Sequence, residues 1–205
     1  MALIVIIKII AIIILLLLSA LSSGSETALT AVSKQRAHRQ KDKGAKNANY
    51  ILKIKEFKDE FITGILLANN LFNILATALM TELLVSEFGG LGVSVATIFM
   101  TLMIVIFSEV TPKIFAINKP MTFALKVSKF FYLYTKLIKP IVNLINKISN
   151  KIIKLIGLNL SSDQSKIIEE EFEGAVQLQK QYSKDGDYEA DYMSNILELK
   201  KLKVD

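Results

Sequence analysis

The chain contains no cysteine and a single histidine. The first absence removes disulfides and thiolate-bound metals from consideration. The histidine, His38, lies in a lysine-rich stretch with no clustered partner, so it reads as a solvated residue and not as a ligand or general base. No nucleophile–base constellation, glycine-rich phosphate loop or zinc-ligand spacing occurs anywhere, and nothing points to an enzyme. The net charge of +6 invites a nucleic-acid reading. Its basic residues, however, lie beside apolar runs and are not interleaved with aromatics that stack on bases, so no nucleic-acid partner is expected.

What the chain has in excess is apolar sequence: 52% hydrophobic residues beside 21% charged ones, and a mean hydropathy of +0.42. The two populations are separated along the chain. Residues 2–21 form a nearly unbroken Ile, Leu, Val and Ala run with Lys8 as its only charge, whereas residues 34–58 carry nine Lys and Arg. Three segments, at about 2–26, 61–84 and 93–117, are long enough to cross a bilayer. The small residues near Ser19-Ala20-Leu21 resemble a signal-peptide cleavage region, but the expected basic residues do not precede the run; Lys8 sits inside it. A retained helix is the better reading. The positive-inside rule then puts residues 34–58 and everything after Asn118 in the cytoplasm, the 85–92 connection outside, and the amino terminus outside.

Beyond Pro120 the pattern changes. Lys126, Lys129, Lys136, Lys139, Lys147, Lys151 and Lys154 fall within roughly 140° of a helical wheel, opposite Val127, Phe131, Ile138 and Ile145. This spacing predicts one or two amphipathic helices, interrupted near Pro140, that lie along the membrane surface with lysines at anionic lipid head groups. A fourth span through 130–145 is the alternative. After Leu160 an acidic cluster, Glu169, Glu170, Glu171 and Glu173, and a turn at Lys184-Asp185-Gly186-Asp187 suggest a small cytoplasmic helical hairpin. The turn is not an EF-hand loop: Gln181 and Tyr192 would occupy the first and last ligand positions. The acidic cluster is either a loose Mg²⁺-sensing site or a solvated helix face. The expected architecture is an all-α integral membrane protein with a transmembrane core (1–120), juxtamembrane helices (121–160) and the acidic hairpin (161–205).

Polar residues inside the apolar spans are the candidate site, because a polar group there is costly and usually functional. Asn69, Asn73 and Thr77 recur every four residues on one face of the second span. Ser19, Ser22, Ser23 and Glu26 share a face of the first, beside Gly24, which permits close backbone approach. The third carries Ser108 and Glu109 just before Pro112, whose missing N–H disrupts the helix and releases a carbonyl one turn back. Oxygen donors with one carboxylate suit a hard cation such as Mg²⁺ or Na⁺. The bland alternative is that these hydroxyls and amides only join neighbouring helices.

At these positions, Ser23-Gly24-Ser25-Glu26-Thr27-Ala28, Asn69-Asn70-Leu71-Phe72-Asn73 and Ser108-Glu109-Val110-Thr111-Pro112-Lys113, the chain resembles the transmembrane domain of the CNNM/CorC magnesium-transporter family. Order and spacing match, and the resemblance extends over nearly the whole chain. It implies a homodimer in the plasma (inner) membrane that exports Mg²⁺ coupled to Na⁺ entry. Ser23, Asn69, Asn73 and Glu109 are the implied metal ligands, with Gly24 and Pro112 shaping the helices. Two positions depart from the family pattern: Ala68 and Ser108 stand where glycine is common. The resemblance also implies a following nucleotide-binding CBS pair, which is absent from this chain, so no ATP site is expected in these residues. The alternative function is a Mg²⁺-sensing scaffold that regulates a separate transporter. A pore-forming toxin is disfavoured by the charged belt and retained basic loop.

Overall fold

A long apolar helix needs a partner of matching length, and α1 (Ala2–Ala31) finds it in α4 (Lys58–Phe88). At 1.5 Å per residue each runs about 45 Å, enough to cross the hydrocarbon layer with a turn or more to spare at each end. The computed structural model describes residues 2–156. Between these two helices lie α2 (Lys34–Asp42) and α3 (Ala48–Glu56); after them come α5 (Leu91–Met103), a π-helical turn (Ile104–Val110), α6 (Thr111–Asn118) and α7 (Pro120–Leu155). Among the described residues there is no strand. Residues 1–148 form one compact unit. The acidic hairpin expected at 161–205, including Glu169 to Glu171 and Glu173, lies outside the described residues.

Among the described residues three stretches are long and apolar enough to span a membrane: Ala2–Ala31, Lys58–Phe88 and Leu91–Asn118, with peak mean hydropathies of 3.2, 1.6 and 2.3. Helix α7 is not among them, since its lysines recur every few residues along its length. Each span exceeds its expected bounds, for local reasons. Past residue 26 α1 continues with its polar side chains satisfied internally, the Thr27 and Thr30 hydroxyls donating to the Ser23 and Glu26 carbonyls. Lys55 Nζ then donates to the Thr30 carbonyl, 3.1 Å away, placing a cation at the negative end of the helix. Ser33 caps the next helix by accepting the Arg36 N–H. Asp59 and Glu60 open α4, where the helix dipole favours negative charge. At its far end α4 turns sharply into α5, and Gly92 permits the turn: a Cβ there would lie 2.3 Å from the Leu84 carbonyl oxygen.

The antiparallel register of α1 and α4 is marked by an ion pair, Lys8 Nζ to a Glu82 carboxylate oxygen at 2.7 Å. This gives the one charge in the first apolar run a partner near the α4–α5 turn. Ile12, Ala76 and Met100 pack below it with Leu15, Leu16, Leu79 and Ile104. Elsewhere the outer surfaces of the spans are apolar and exposed, Leu3, Ile74, Ile98 and Leu102 among them. Such a surface is at home in lipid and not in water.

Helix α7 packs along the opposite end of the bundle. Ala124, Val127, Phe131 and Val142 bury one stripe, with Phe131 edge-on to Phe61 of α4. Asn47, held at φ 70°, ties α7 to the short helices: its Nδ2 donates to the Leu125 carbonyl and its own carbonyl accepts from Ser128 Oγ. Thr63 Oγ1 donates to Asn146 Oδ1, and Tyr134 donates to the Gly64 carbonyl. Burial raises the Tyr134 phenol above its ordinary pKa. The apolar side thus divides into two stripes, one against the bundle and one of Phe130, Leu133, Leu137, Ile141 and Leu144 that stays exposed. The interruption expected near Pro140 is not found; α7 runs through it. Pro140 and Lys136 are both exposed, so the carbonyl that the missing N–H leaves unpaired can meet water.

Candidate functional site

Ser19 on α1 and the Asn69–Asn73 face of α4 meet in the middle of the bundle. Ser19 Oγ lies 2.5 Å from Asn69 Oδ1 and 2.6 Å from Asn73 Oδ1. A hydroxyl has one proton and donates it to one acceptor at a time. Three oxygens therefore converge with a single proton among them. Ser19 is fully buried and Asn69 nearly so. Asn73 is half-buried, and a largely buried oxygen cluster with so few donors is chemically suited to a cation, whose charge replaces the missing protons.

One turn further along α1 is Ser23, also fully buried. Its neighbours return their hydroxyl protons to the carbonyl four residues back: Ser22 to Leu18, Ser25 to Leu21 and Thr27 to Ser23. Ser23 Oγ alone among the described buried side-chain polar atoms has no hydrogen-bond partner. Orphaned buried hydroxyls are uncommon in folded proteins and call for a cause, of which a place for an ion is one.

The third span supplies the irregular wall. Pro112 cannot donate to the carbonyl four residues back, and the ring crowds that carbonyl. The helix answers by widening: residues Ile104–Val110 form the π turn, and the Thr111 N–H reaches back five residues to the Ile106 carbonyl. Such one-turn π segments recur at functional sites. Within it Ser108 is fully buried and donates to the Leu16 carbonyl of α1 at 3.1 Å, fastening the turn to the helix that carries Ser19 and Ser23. Glu109 follows, half-buried, with no ion-pair partner among the described residues. Gly24 sits where α1 meets Pro112: a Cβ would stand 3.3 Å from the Pro112 carbonyl oxygen and 3.0 Å from Phe123 Cζ of α7. The close backbone approach expected at Gly24 is therefore present.

Of the sequence-derived ligand set, the structure brings Asn69 and Asn73 onto one oxygen cluster, with Ser23 one turn along α1 and Glu109 on the adjoining π turn. Asn70 is exposed on another face of α4. The hydroxyl that meets the asparagines is Ser19, which the sequence placed on the right face of α1 without singling it out. The signal that identifies it lies in the charges. Eleven residues along α1 from Lys8 is Ser19, and eleven residues back along α4 from Glu82 is Leu71, midway between Asn69 and Asn73. Among the described residues no three His, Cys, Asp or Glu side chains gather, so a cation held here would depend chiefly on neutral oxygens.

Comparison with known proteins finds relatives along most of the chain. Residues 10–190 match the model of the cyclin M transmembrane N-terminal domain. A UPF0053 protein of Haemophilus influenzae is 33% identical over 152 residues, which cover 72% of this chain and 35% of that protein. The UPF0053 inner membrane protein YfjD of Escherichia coli is 30% identical over 185 residues, 86% of this chain and 41% of its own length. A putative DUF21 domain-containing chloroplast protein of Arabidopsis thaliana is 31% identical over 148 residues, 68% of this chain and 21% of that one. The chain spans less than half the length of these relatives.

Proposed function

Because this chain belongs to the cyclin M transmembrane domain family, we propose that its membrane-spanning helices carry a divalent cation, with Mg²⁺ as the exported substrate and Na⁺ entry as the driving gradient. The observation that carries the reading is the convergence of the Ser19 hydroxyl with the Asn69 and Asn73 amide oxygens, one turn from the unpartnered Ser23 hydroxyl. Oxygen-only donors favour Mg²⁺ and Na⁺ over zinc or copper. Mg²⁺ gives up its waters reluctantly, so replacement ligands must be held in place beforehand. Fixed helix positions do this for Ser19, Asn69 and Asn73, and the Ser108 bond to Leu16 does it for the π turn.

Glu109 supplies the carboxylate. Neutral oxygens solvate an ion without offsetting its charge, and a second charge in a low-dielectric site is costly unless compensated. One carboxylate against Mg²⁺ or Na⁺ leaves different residual charges, which gives the protein a means of treating the two ions differently. The remainder of the proposal follows the family: a homodimer in an inner membrane, with α2, α3 and α7 cytoplasmic, the α4–α5 turn outside, anionic lipids at the α7 lysines, and no catalytic chemistry.

Mg²⁺ flux in proteoliposomes, measured for the wild type and for Glu109→Ala with and without a Na⁺ gradient, tests this reading. Flux that requires both Glu109 and the gradient supports an exchanger. Correctly inserted protein that binds Mg²⁺ and moves none, even when joined to the additional domains of its longer relatives, refutes transport and favours the sensing scaffold.

A further inference from the structure

Where α3, the start of α4 and α7 come together, a cavity of about 180 Å³ lies among Ile54, Phe57, Phe61 and Tyr132. The buried Thr135 hydroxyl on its wall donates to the Phe131 carbonyl at 2.8 Å and needs no further partner. An apolar cavity of about 150 Å³ takes up a guest of benzene size. This one therefore suits a few methylene groups and is too small for a whole drug-sized ligand. Its rim is basic: Lys53, Lys136 and Lys139 border the cavity against a single carboxylate, Glu60. Among the described residues none of the three lysines pairs with a carboxylate. Two of them rest on aromatic faces instead. Lys139 Nζ stands 4.7 Å from the Phe57 ring centroid, and Lys53 Nζ stands 5.4 Å from that of Tyr132 and 5.8 Å from that of Tyr50. Such contacts orient an ammonium without neutralising it.

Apolar interior and cationic rim together call for an amphiphile with a negative head. Position says which kind. Phe57 and Phe61 bracket the first turn of α4, where the second span begins, and α7 sets Lys136 and Lys139 beside the exposed Leu133 and Leu137. The cavity therefore lies at the level of the lipid head groups, where an amphipathic helix with such a surface rests. We propose that it binds a single anionic phospholipid, with the upper methylenes of one acyl chain among Phe57, Phe61 and Tyr132 and the phosphate at Lys53, Lys136 and Lys139. Lysine binds phosphate as a point charge, and three ammoniums less the Glu60 carboxylate leave two positive charges for it to meet. This narrows the contact proposed above between the α7 lysines and anionic lipid to one built site. It holds whether or not the protein moves Mg²⁺.

The chain contains no tryptophan, so one introduced indole reports on its own surroundings. Phe57→Trp keeps an aromatic face under Lys139. Leu66→Trp, exposed farther along α4, is the control. The full chain is placed in mixed vesicles of phosphatidylcholine and phosphatidylglycerol, in which first one lipid and then the other carries brominated chains that quench indole fluorescence on contact. The ratio of the two quenching strengths is formed at each position, so depth in the bilayer cancels. The ratio at Phe57→Trp is expected to favour phosphatidylglycerol at least about fivefold more than at Leu66→Trp, the factor that one lysine near the membrane surface carries. Adding Lys136→Gln and Lys139→Gln, both exposed, is expected to return it to the control value. Glycerol phosphate, the same anion without chains, is expected to leave it unchanged. A ratio at Phe57→Trp no higher than the control overturns the site, the rim then serving some other occupant, and so does a ratio that survives loss of the two lysines. Displacement of the brominated lipid by glycerol phosphate overturns the lipid and leaves a site for a free phosphate ester. Quenching is read without flux, so its outcome and that of the Mg²⁺ assay are independent.

Discussion

Two serines one turn apart on α1 respond in opposite directions to the same substitution. Ser23→Ala removes a buried hydroxyl with no partner. An unsatisfied buried polar group costs about 1–3 kcal/mol, so the metal-free protein gains stability of that order. Alanine's helix propensity adds about half a kcal/mol. Ser19→Ala removes the one proton shared between the Asn69 and Asn73 oxygens and loses about 1–3 kcal/mol, tempered by the same propensity gain. At about 3 °C per kcal/mol for a chain of this size, the two variants melt on either side of the wild type by several degrees. The assay is thermal unfolding followed by helical circular dichroism in detergent with a chelator present. Mg²⁺ is then added: a ligand at a hundred times its Kd stabilises by about 2.7 kcal/mol, and both variants should lose most of that increment. A metal-free Ser23→Ala protein that melts below the wild type refutes the orphan-hydroxyl argument, because the hydroxyl then has a stabilising partner in the absence of any ion.

Pro112→Ala restores an N–H and allows the π turn to relax toward an α-helix, so the protein should remain folded while Mg²⁺ affinity, read by calorimetric titration, falls about ten- to a hundredfold. Gly92→Ala sets a Cβ 2.3 Å from the Leu84 carbonyl oxygen. Backbone cannot rotate away as a side chain can, so melting should reveal a loss at or above the about 3 kcal/mol upper end of overpacking costs. Lys55 is held below its ordinary pKa by burial and by the neighbouring charges of Lys58 and Lys34. Between its lowered folded value and its unfolded value near 10.4, the unfolded state binds more protons than the folded one. Its contribution to stability therefore rises with pH across that window and falls as pH drops through the folded value; melting temperatures from pH 8 to 10.5 should slope upward more in the wild type than in Lys55→Met.

Much of this architecture was legible because lipid imposes simple rules. Three apolar runs became three spans, and the Lys126–Lys154 stripe kept α7 from becoming a fourth. Their ends were less legible, since the end of α1 is capped by Lys55, a residue far along the chain. Pro112 announced an irregular helix, but whether a helix responds to proline by kinking, unwinding or widening depends on what packs against it. Here Ser108 holds the turn to α1, and the result is a π segment. The asparagine pair stood out by its four-residue spacing. Ser19 did not, because choosing among the hydroxyls of one helix face requires the register between two helices, and a pattern within either helix alone does not contain it. Pro140 misled for a related reason: a proline ends a buried helix more readily than one whose unpaired carbonyl faces solvent.

Gly24 has no side chain, and the space it leaves is filled from two directions, by the Pro112 carbonyl and by the ring edge of Phe123. Phe123 stands in the first turn of α7, whose outer surface carries both lysines and exposed apolar residues. The ring of Phe123 thus meets the backbone of α1 a single residue from Ser23. The sizes allowed at positions 24 and 123 are thereby tied together: a side chain added at Gly24 fits only if α1 parts from Pro112 or from α7.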